Sequence, residues 1–339
     1  DLEGSLEFDN DKGLQSAEFS SFALSPGDKA QLSLTPIQNG YQVRVRGDQL
    51  DLKPMLQRFF GLGEGSVGAV ASTQFNQTLA LDIQLKRALG FYRTTAFNFN
   101  LDMDITGPDL QKVNLQAQLG DDKSVSITTN PAPKGRVITA AFNDFGTLLR
   151  LIGVYPRVEG GEGSLVLTTT TATSDSTGEF QLHNFALIDE DKVAQILGNH
   201  QGSKALIARQ NKLEFKSGKL DFIRKPDRIE VTDGVLAGET VGGTMHGFIY
   251  TAQRQYDLVG TYVPLFGLNN LFQKLPIFGP ILGGREGEGL IGVTFAVRGP
   301  LDKPDFRVNP ASLLVPGAFR GLFEYRAKEL PPARADGGN

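Results

Sequence analysis

The strongest constraint on this chain is an apolar/polar alternation of period two that recurs along most of its length. It is clearest in AFNFNLDMDITGP (96–108), where Phe97, Phe99, Leu101, Met103 and Ile105 fall on one side and Asn98, Asn100, Asp102 and Asp104 on the other. Successive side chains of an extended strand point to opposite faces, so this pattern predicts strands with one apolar and one wet face. The same grammar runs through YQVRVRG (41–47), TLALDIQL (78–85), KVNLQAQLG (112–120), SVSITT (124–129), GEFQLHN (178–184), KLEFKSGKLDFIRKPDRIEVTDG (212–234), GVTFAVRGP (292–300) and DFRVNP (305–310). With 40 Gly and 17 Pro the turns between them are densely marked, which predicts a mainly β, largely antiparallel protein.

Short stretches with an apolar stripe interrupt the strands at 53–61, 143–153, 189–210, 267–275 and 311–327 and read as helices. Three segments share one order of parts: MLQRFFGLGEGSVGAV (55–70), LLRLIGVYPRVEGGEGSLVLT (148–168) and NLFQKLPIFGPILGGREGEGLIGVTF (270–295). Each has an apolar helix, a glycine-containing exit, Gly-Glu-Gly and a strand. DITGPDLQKVNLQ (104–116) and AVRGPLDKPDFRV (296–308) echo one another as strand, Gly-Pro turn, strand. Repeated units of this kind predict a long, quasi-one-dimensional sheet. The expected organisation is a repetitive β segment over 1–140, a β segment with short helices over 141–219, and a C-terminal region over 220–339 that ends in amphipathic helices.

Several functions are disfavoured at this level. A net charge of −4 supplies no basic field for nucleic acid. Without cysteine there is no disulfide and no thiolate chemistry. GEGSVG (63–68) and GEGLIG (287–292) match a phosphate-binding pattern, but here the order is helix, glycines, strand, the reverse of what a phosphate on a helix N-terminus requires. His183, His200 and His246 lack metal-ligand spacing, and no Gly-x-Ser-x-Gly occurs. No enzyme, metal or cofactor is expected.

GLNNLFQKLPIFGPILGG (267–284) is apolar and bent by Pro276 and Pro280. It holds Leu268, Leu271, Phe272, Leu275, Ile277 and Phe278 around the single charge of Lys274. A central Lys costs ~3 kcal/mol on insertion scales, which disfavours spanning a bilayer. With Phe319, Leu322 and Phe323 of the amphipathic 311–328, these residues are expected to form either a cap over the sheet end or a membrane-contact surface. The chain has 23 Phe against 7 Tyr and no Trp. Such a Phe excess fits a two-sheet core, or an apolar sheet face left for helices or a hydrocarbon ligand.

Residues 220–324 carry a further signal. TYVPLFGLNNLF, PIFGPILGG, GLIGVTFAVRGPLDKP and VNPASLLVPGAFR resemble the C-terminal region of the bacterial AsmA-like superfamily; over 1–219 the likeness is one of strand grammar only. The resemblance implies a large envelope protein held in the inner membrane by an N-terminal helix, its β-rich body in the periplasm. It implies a curved, U-shaped sheet with an apolar groove that moves phospholipids between inner and outer membranes, a bridge-like lipid transfer protein. The first residue is Asp and no signal peptide or anchor is present, so the sequence reads as a piece of something longer. On this reading Phe97, Phe99, Leu101, Met103, Ile105, Leu220, Phe222, Val293, Phe295 and Val297 line the groove. The expected partners are phospholipids, bacterial membranes (the outer membrane at the C-terminal end) and other envelope proteins. A non-enzymatic scaffold or outer-membrane protein assembly factor is the alternative, and an adhesin or carbohydrate-binding β module a third.

Overall fold

The computed structural model describes residues 1–9, 13–60, 77–106, 109–170, 175–188, 212–238, 241–251, 253–264, 292–300, 305–309 and 325–327. The fold is mainly β, with one 17-stranded, mostly antiparallel sheet. The chain divides into two compact units, Asp1–Asn130 with Ile138–Glu162, and Pro131–Val137 with Gly163–Asn339.

The first unit contains β1 (Leu2–Asp9), β2 (Gly13–Phe22), β3 (Lys29–Ile37), β4 (Gly40–Asp51), α1 (Lys53–Phe60), β5 (Thr78–Leu89), β6 (Thr95–Thr106), β7 (Asp109–Gly120) and most of β8 (Lys123–Ala132). Strands β1 to β8 pair in chain order, and every pair is antiparallel except β4 with β5. That exception has a plain cause. A tight hairpin reverses the chain, whereas the connection through α1 carries it back to the end where β4 began, so β5 sets off in the same direction. Leu52 N–H donates to Leu89 O at 2.9 Å where α1 begins.

Strands β9 (Gly135–Phe142) and β10 (Val158–Thr170) flank α2 (Phe145–Ile152) and also pair with each other. Asp144 caps α2 by accepting from the Thr147 N–H at 2.9 Å and from the Thr147 hydroxyl at 2.8 Å, and Gly153 closes it in the left-handed conformation at φ 73°. Arg150 in the last turn donates to Val158 O at 2.8 Å, which ties the helix to the start of β10. The helices expected over 53–61 and 143–153 are thus present as α1 and α2. Those expected over 189–210 and 267–275, and nearly all of that over 311–327, lie outside the described residues. Gly161-Glu162-Gly163 lies inside β10 rather than ahead of it, with Gly160 and Gly161 at φ 68° and 96°.

The second unit contains β11 (Ser176–Ile188), β12 (Lys212–Arg224), β13 (Arg228–Ala237), β14 (Val241–Tyr250), β15 (Gln255–Pro264), β16 (Val293–Pro300) and β17 (Asp305–Asn309), paired antiparallel in chain order. The boundary expected at 219/220 falls inside β12.

One expectation about the faces needs correction. Strands β15 and β16 are not wet on one side: Asp257, Val259, Thr261 and Val263 are buried, as are Thr294 and Ala296. Part of the reason is visible at Arg298. Its guanidinium donates to Asp257 Oδ1 at 2.8 Å and to Arg326 O at 2.7 Å, so residues 325–327 lie against that side.

Candidate functional site

In the first unit the register turns the alternation of single strands into rows that cross the sheet. Phe19, Leu32, Val45, Ile83, Leu101, Leu115 and Ile127 are successive partners on seven neighbouring strands. Two residues along each strand, Leu6, Ala17, Leu34, Val43, Leu81, Met103 and Val113 form a second row over β1 to β7. A one-residue slip in any strand would break both rows, so the apolar side fixes the register. Ile83 is only 1% exposed, while Leu32, Leu34, Leu101, Leu115 and Ile127 are half-buried.

The opposite side is polar in matching rows: Arg44, Asp82, Asp102 and Asn114, and Arg46, Gln84, Asn100, Gln116 and Ser126. Arg46 pairs with Asp82, and Lys112 with Asp102 at 2.5 Å. The Asp102 hydrogen bond holds the Lys112 ammonium above its ordinary pKa.

Phe97 does not share the apolar face. Buried Ala96 and Phe99 are three positions apart, and the register with β7 shifts between Phe97 and Asn100, with Asn98 at φ 48°. A β-bulge adds one residue, so Phe97 and Asn98 are consecutively displaced from the apolar side. Two neighbouring strands skip at the same level, β4 between Gly47 and Leu50 and β5 between Leu85 and Ala88, where Lys86 bonds Asp48 at 2.8 Å. That hydrogen bond, with the added pull of Lys29 and Arg87, lowers the Asp48 carboxyl. Phe97 is 41% exposed and, with Arg87, Lys86, Asp48, Asn98 and Gln118, lines an open polar concavity of about 670 Å³. It is therefore removed from the groove set. The polar doublets Asp48-Gln49 and Lys86-Arg87 are the sequence signal for this flip, because each breaks strict alternation.

In the second unit, Phe180, Leu220, Gly234, Met245, Gly260, Phe295 and Val308 form one row across β11 to β17, and Gly178, Phe222, Val231, Gly247, Leu258, Val297 and Phe306 another. Leu182, Gly218, Leu236, Gly243, Tyr262 and Val293 form a third. Leu220, Phe222, Val293, Phe295 and Val297 thus share one face, as do Phe99, Leu101, Met103 and Ile105 in the first unit. Phe99, Met103, Val293 and Phe295 are buried; Leu101, Ile105, Leu220, Phe222 and Val297 are half-buried.

Sequence reasoning treated strand glycines as punctuation and so missed their part in this face. A Cβ built on Gly178 would stand 2.1 Å from Cζ of Phe222, on Gly218 3.0 Å from Cδ2 of Leu236, and on Gly234 2.6 Å from Cγ of Met245. Each large side chain lies down over the glycine of the preceding strand, like overlapping tiles. Phe295 and Phe306 stack with ring centroids 5.3 Å apart. Tyr262 adds a phenol to the same face, and burial pushes its pKa up to about 12.

Leu268, Leu271, Phe272, Leu275, Ile277, Phe278, Phe319, Leu322 and Phe323 all lie outside the described residues, as do His200 and the two phosphate-like glycine patterns apart from Gly292. His183 is exposed and His246 half-buried. Among the described residues there is no group of three or more His, Asp or Glu able to hold a metal ion, and no helix long and apolar enough to cross a membrane. No family model, no curated protein and no solved structure matches the chain.

Proposed function

We propose that the chain is part of a periplasmic, bridge-like lipid transfer protein and conducts phospholipid acyl chains over its apolar sheet faces between the inner and outer membranes. The observation that carries this reading is the continuity of the rows: seven strands in each unit contribute an apolar partner, or a glycine tiled over by one, at the same level. The resemblance of residues 220–324 to the AsmA-like C-terminal region supports the choice of compartment and cargo.

The energetics suit such a surface. A two-chain phospholipid exposes about 30 methylenes when it leaves a bilayer, at about 0.8 kcal/mol each, or roughly 25 kcal/mol in all. An apolar floor that accepts the tails while the head group stays in water removes most of that barrier without any reactive side chain. Half-buried Leu101, Leu115 and Ile127 leave apolar surface in the first unit that an acyl chain would cover.

Native mass spectrometry of the purified chain, followed by lipid extraction, tests the reading. Bound phospholipid in near-stoichiometric amount is the expected result. A chain that carries no lipid and takes none from labelled phospholipid vesicles would refute it and leave the scaffold alternative.

A further inference from the structure

We infer that Gly178, Gly218 and Gly234 set the clearance of the apolar face in the second unit, and that this clearance is gauged for unbranched acyl chains. The inference rests on the lipid reading above and specifies the kind of tail the face admits. The three glycines occupy neighbouring strands, β11, β12 and β13, and each is the direct register partner of a larger apolar residue on the next strand: Phe222, Leu236 and Met245.

At all three positions the nearest atom to an added Cβ belongs to a side chain, at 2.1, 3.0 and 2.6 Å respectively. At Gly178 and Gly218 every near atom is a side-chain atom, so a methyl group there would lift the covering side chain and leave the hydrogen-bonded ladder in place. At Gly234 it would also press on Met245 O at 3.1 Å, a contact that a shift of a few tenths of an ångström relieves. Gly260 differs, because its Cβ would come within 1.9 Å of the backbone oxygen of Thr244; that glycine is needed for the sheet itself and is set aside.

Because Phe222, Leu236 and Met245 reach across into the space over these glycines, they rise less above the sheet than upright side chains would. Protein layers pack by interdigitation at crystal-like density, and a tiled floor offers few projections for an opposing sheet to grip. A straight hydrocarbon chain needs no such relief. It gathers many small dispersion contacts along its length, whereas a rigid or branched tail would touch only at its high points. The glycines keep that floor low.

The test uses the full chain and vesicles of phosphatidylcholine doped with a phospholipid that bears a fluorescent straight-chain acyl group. Gly178→Ala should weaken uptake of the probe by about tenfold or more, Gly234→Ala by less and Gly218→Ala by least, following the order of their contact distances. Adding Phe222→Leu to Gly178→Ala should restore uptake, because the shorter side chain can again lie below the added methyl. If the wild-type chain takes up probe and all three variants match it, the inference is overturned. It is equally overturned if losses track melting temperature alone and Phe222→Leu restores nothing. Should Gly178→Ala not fold, the milder Gly234→Ala and Gly218→Ala decide the matter by the same ordering. A wild-type chain that takes up no probe instead overturns the lipid reading, a result the ordering among variants cannot mimic.

Discussion

Leu101→Asn isolates the proposed use of the first unit's apolar face. Leu101 sits near the middle of its row, half-buried, with Ile83 and Leu115 as its direct partners on either side. Neither partner can hydrogen-bond an amide. In the empty protein the amide keeps some contact with water, so the fold should lose less than the roughly 2–5 kcal/mol of a fully buried Leu→Ala change. Under an acyl chain the same amide loses water and gains no partner, a penalty of about 1–3 kcal/mol. At about 1.4 kcal/mol per decade, that weakens lipid binding roughly fivefold to more than a hundredfold. Binding of a fluorescent phospholipid, alongside urea denaturation to confirm the fold, measures both terms. Gln116→Asn, exposed on the opposite face of β7, is the control and should bind as the wild type does. Equal binding by a folded Leu101→Asn, or an equal loss in Gln116→Asn, would refute the assignment of that face.

Two further outcomes follow from local geometry. Asn98→Val should destabilise the chain by about 1–3 kcal/mol in urea melts while Asn98→Gly stays near neutral, because φ 48° suits Asn or Gly and strains a β-branched residue; matching stabilities would mean that the bulge carries no such constraint. Asp144→Ala should cost about 0.5–2 kcal/mol at neutral pH through loss of the α2 cap. Burial of the Asp144 carboxyl works against its charge, yet hydrogen bonds from Lys123 and Thr147 outweigh it and lower its pKa below the ordinary 3.8. Since the folded value is depressed, the charge-linked part of this stability is complete above the ordinary pKa and fades as pH falls through the folded one. Melts from neutral to strongly acid pH should therefore show wild type and Asp144→Ala converging only at the acid end.

Alternation made the strands and most of their apolar faces legible, since side-chain direction in a strand depends on parity alone. It also made Phe97 misleading. Phe97 to Ile105 alternates without a flaw, and the residue that disturbs parity, Asn98, is polar and looks correctly placed. Evidence for the skip lies in neighbouring strands, at Asp48-Gln49 and Lys86-Arg87, and only pairing reveals that these doublets stand level with it. His183-Asn184, with Asn184 at φ 53°, marks a similar break in β11. Glycines such as Gly178 and Gly234 were hidden for a different reason: an absent side chain has no hydropathy, and its value appears only when the partner that fills the space is known. The buried second side of β15 and β16 also escaped notice, because Thr261 and Thr294 read as solvent-facing until the whole chain is in place.

Phe222, Leu236 and Met245 overlap glycines of the earlier strand, while Leu220 reaches Gly234 and Phe185 reaches Gly218 from the earlier side. A cargo gliding over this surface would meet slopes and steps of unequal steepness from place to place. Detailed balance forbids such a texture from pumping anything by itself: at equilibrium, forward and backward traffic must cancel whatever the landscape between. If net flux occurs, its direction must come from a difference in lipid chemical potential at the two ends, or from work supplied by another component.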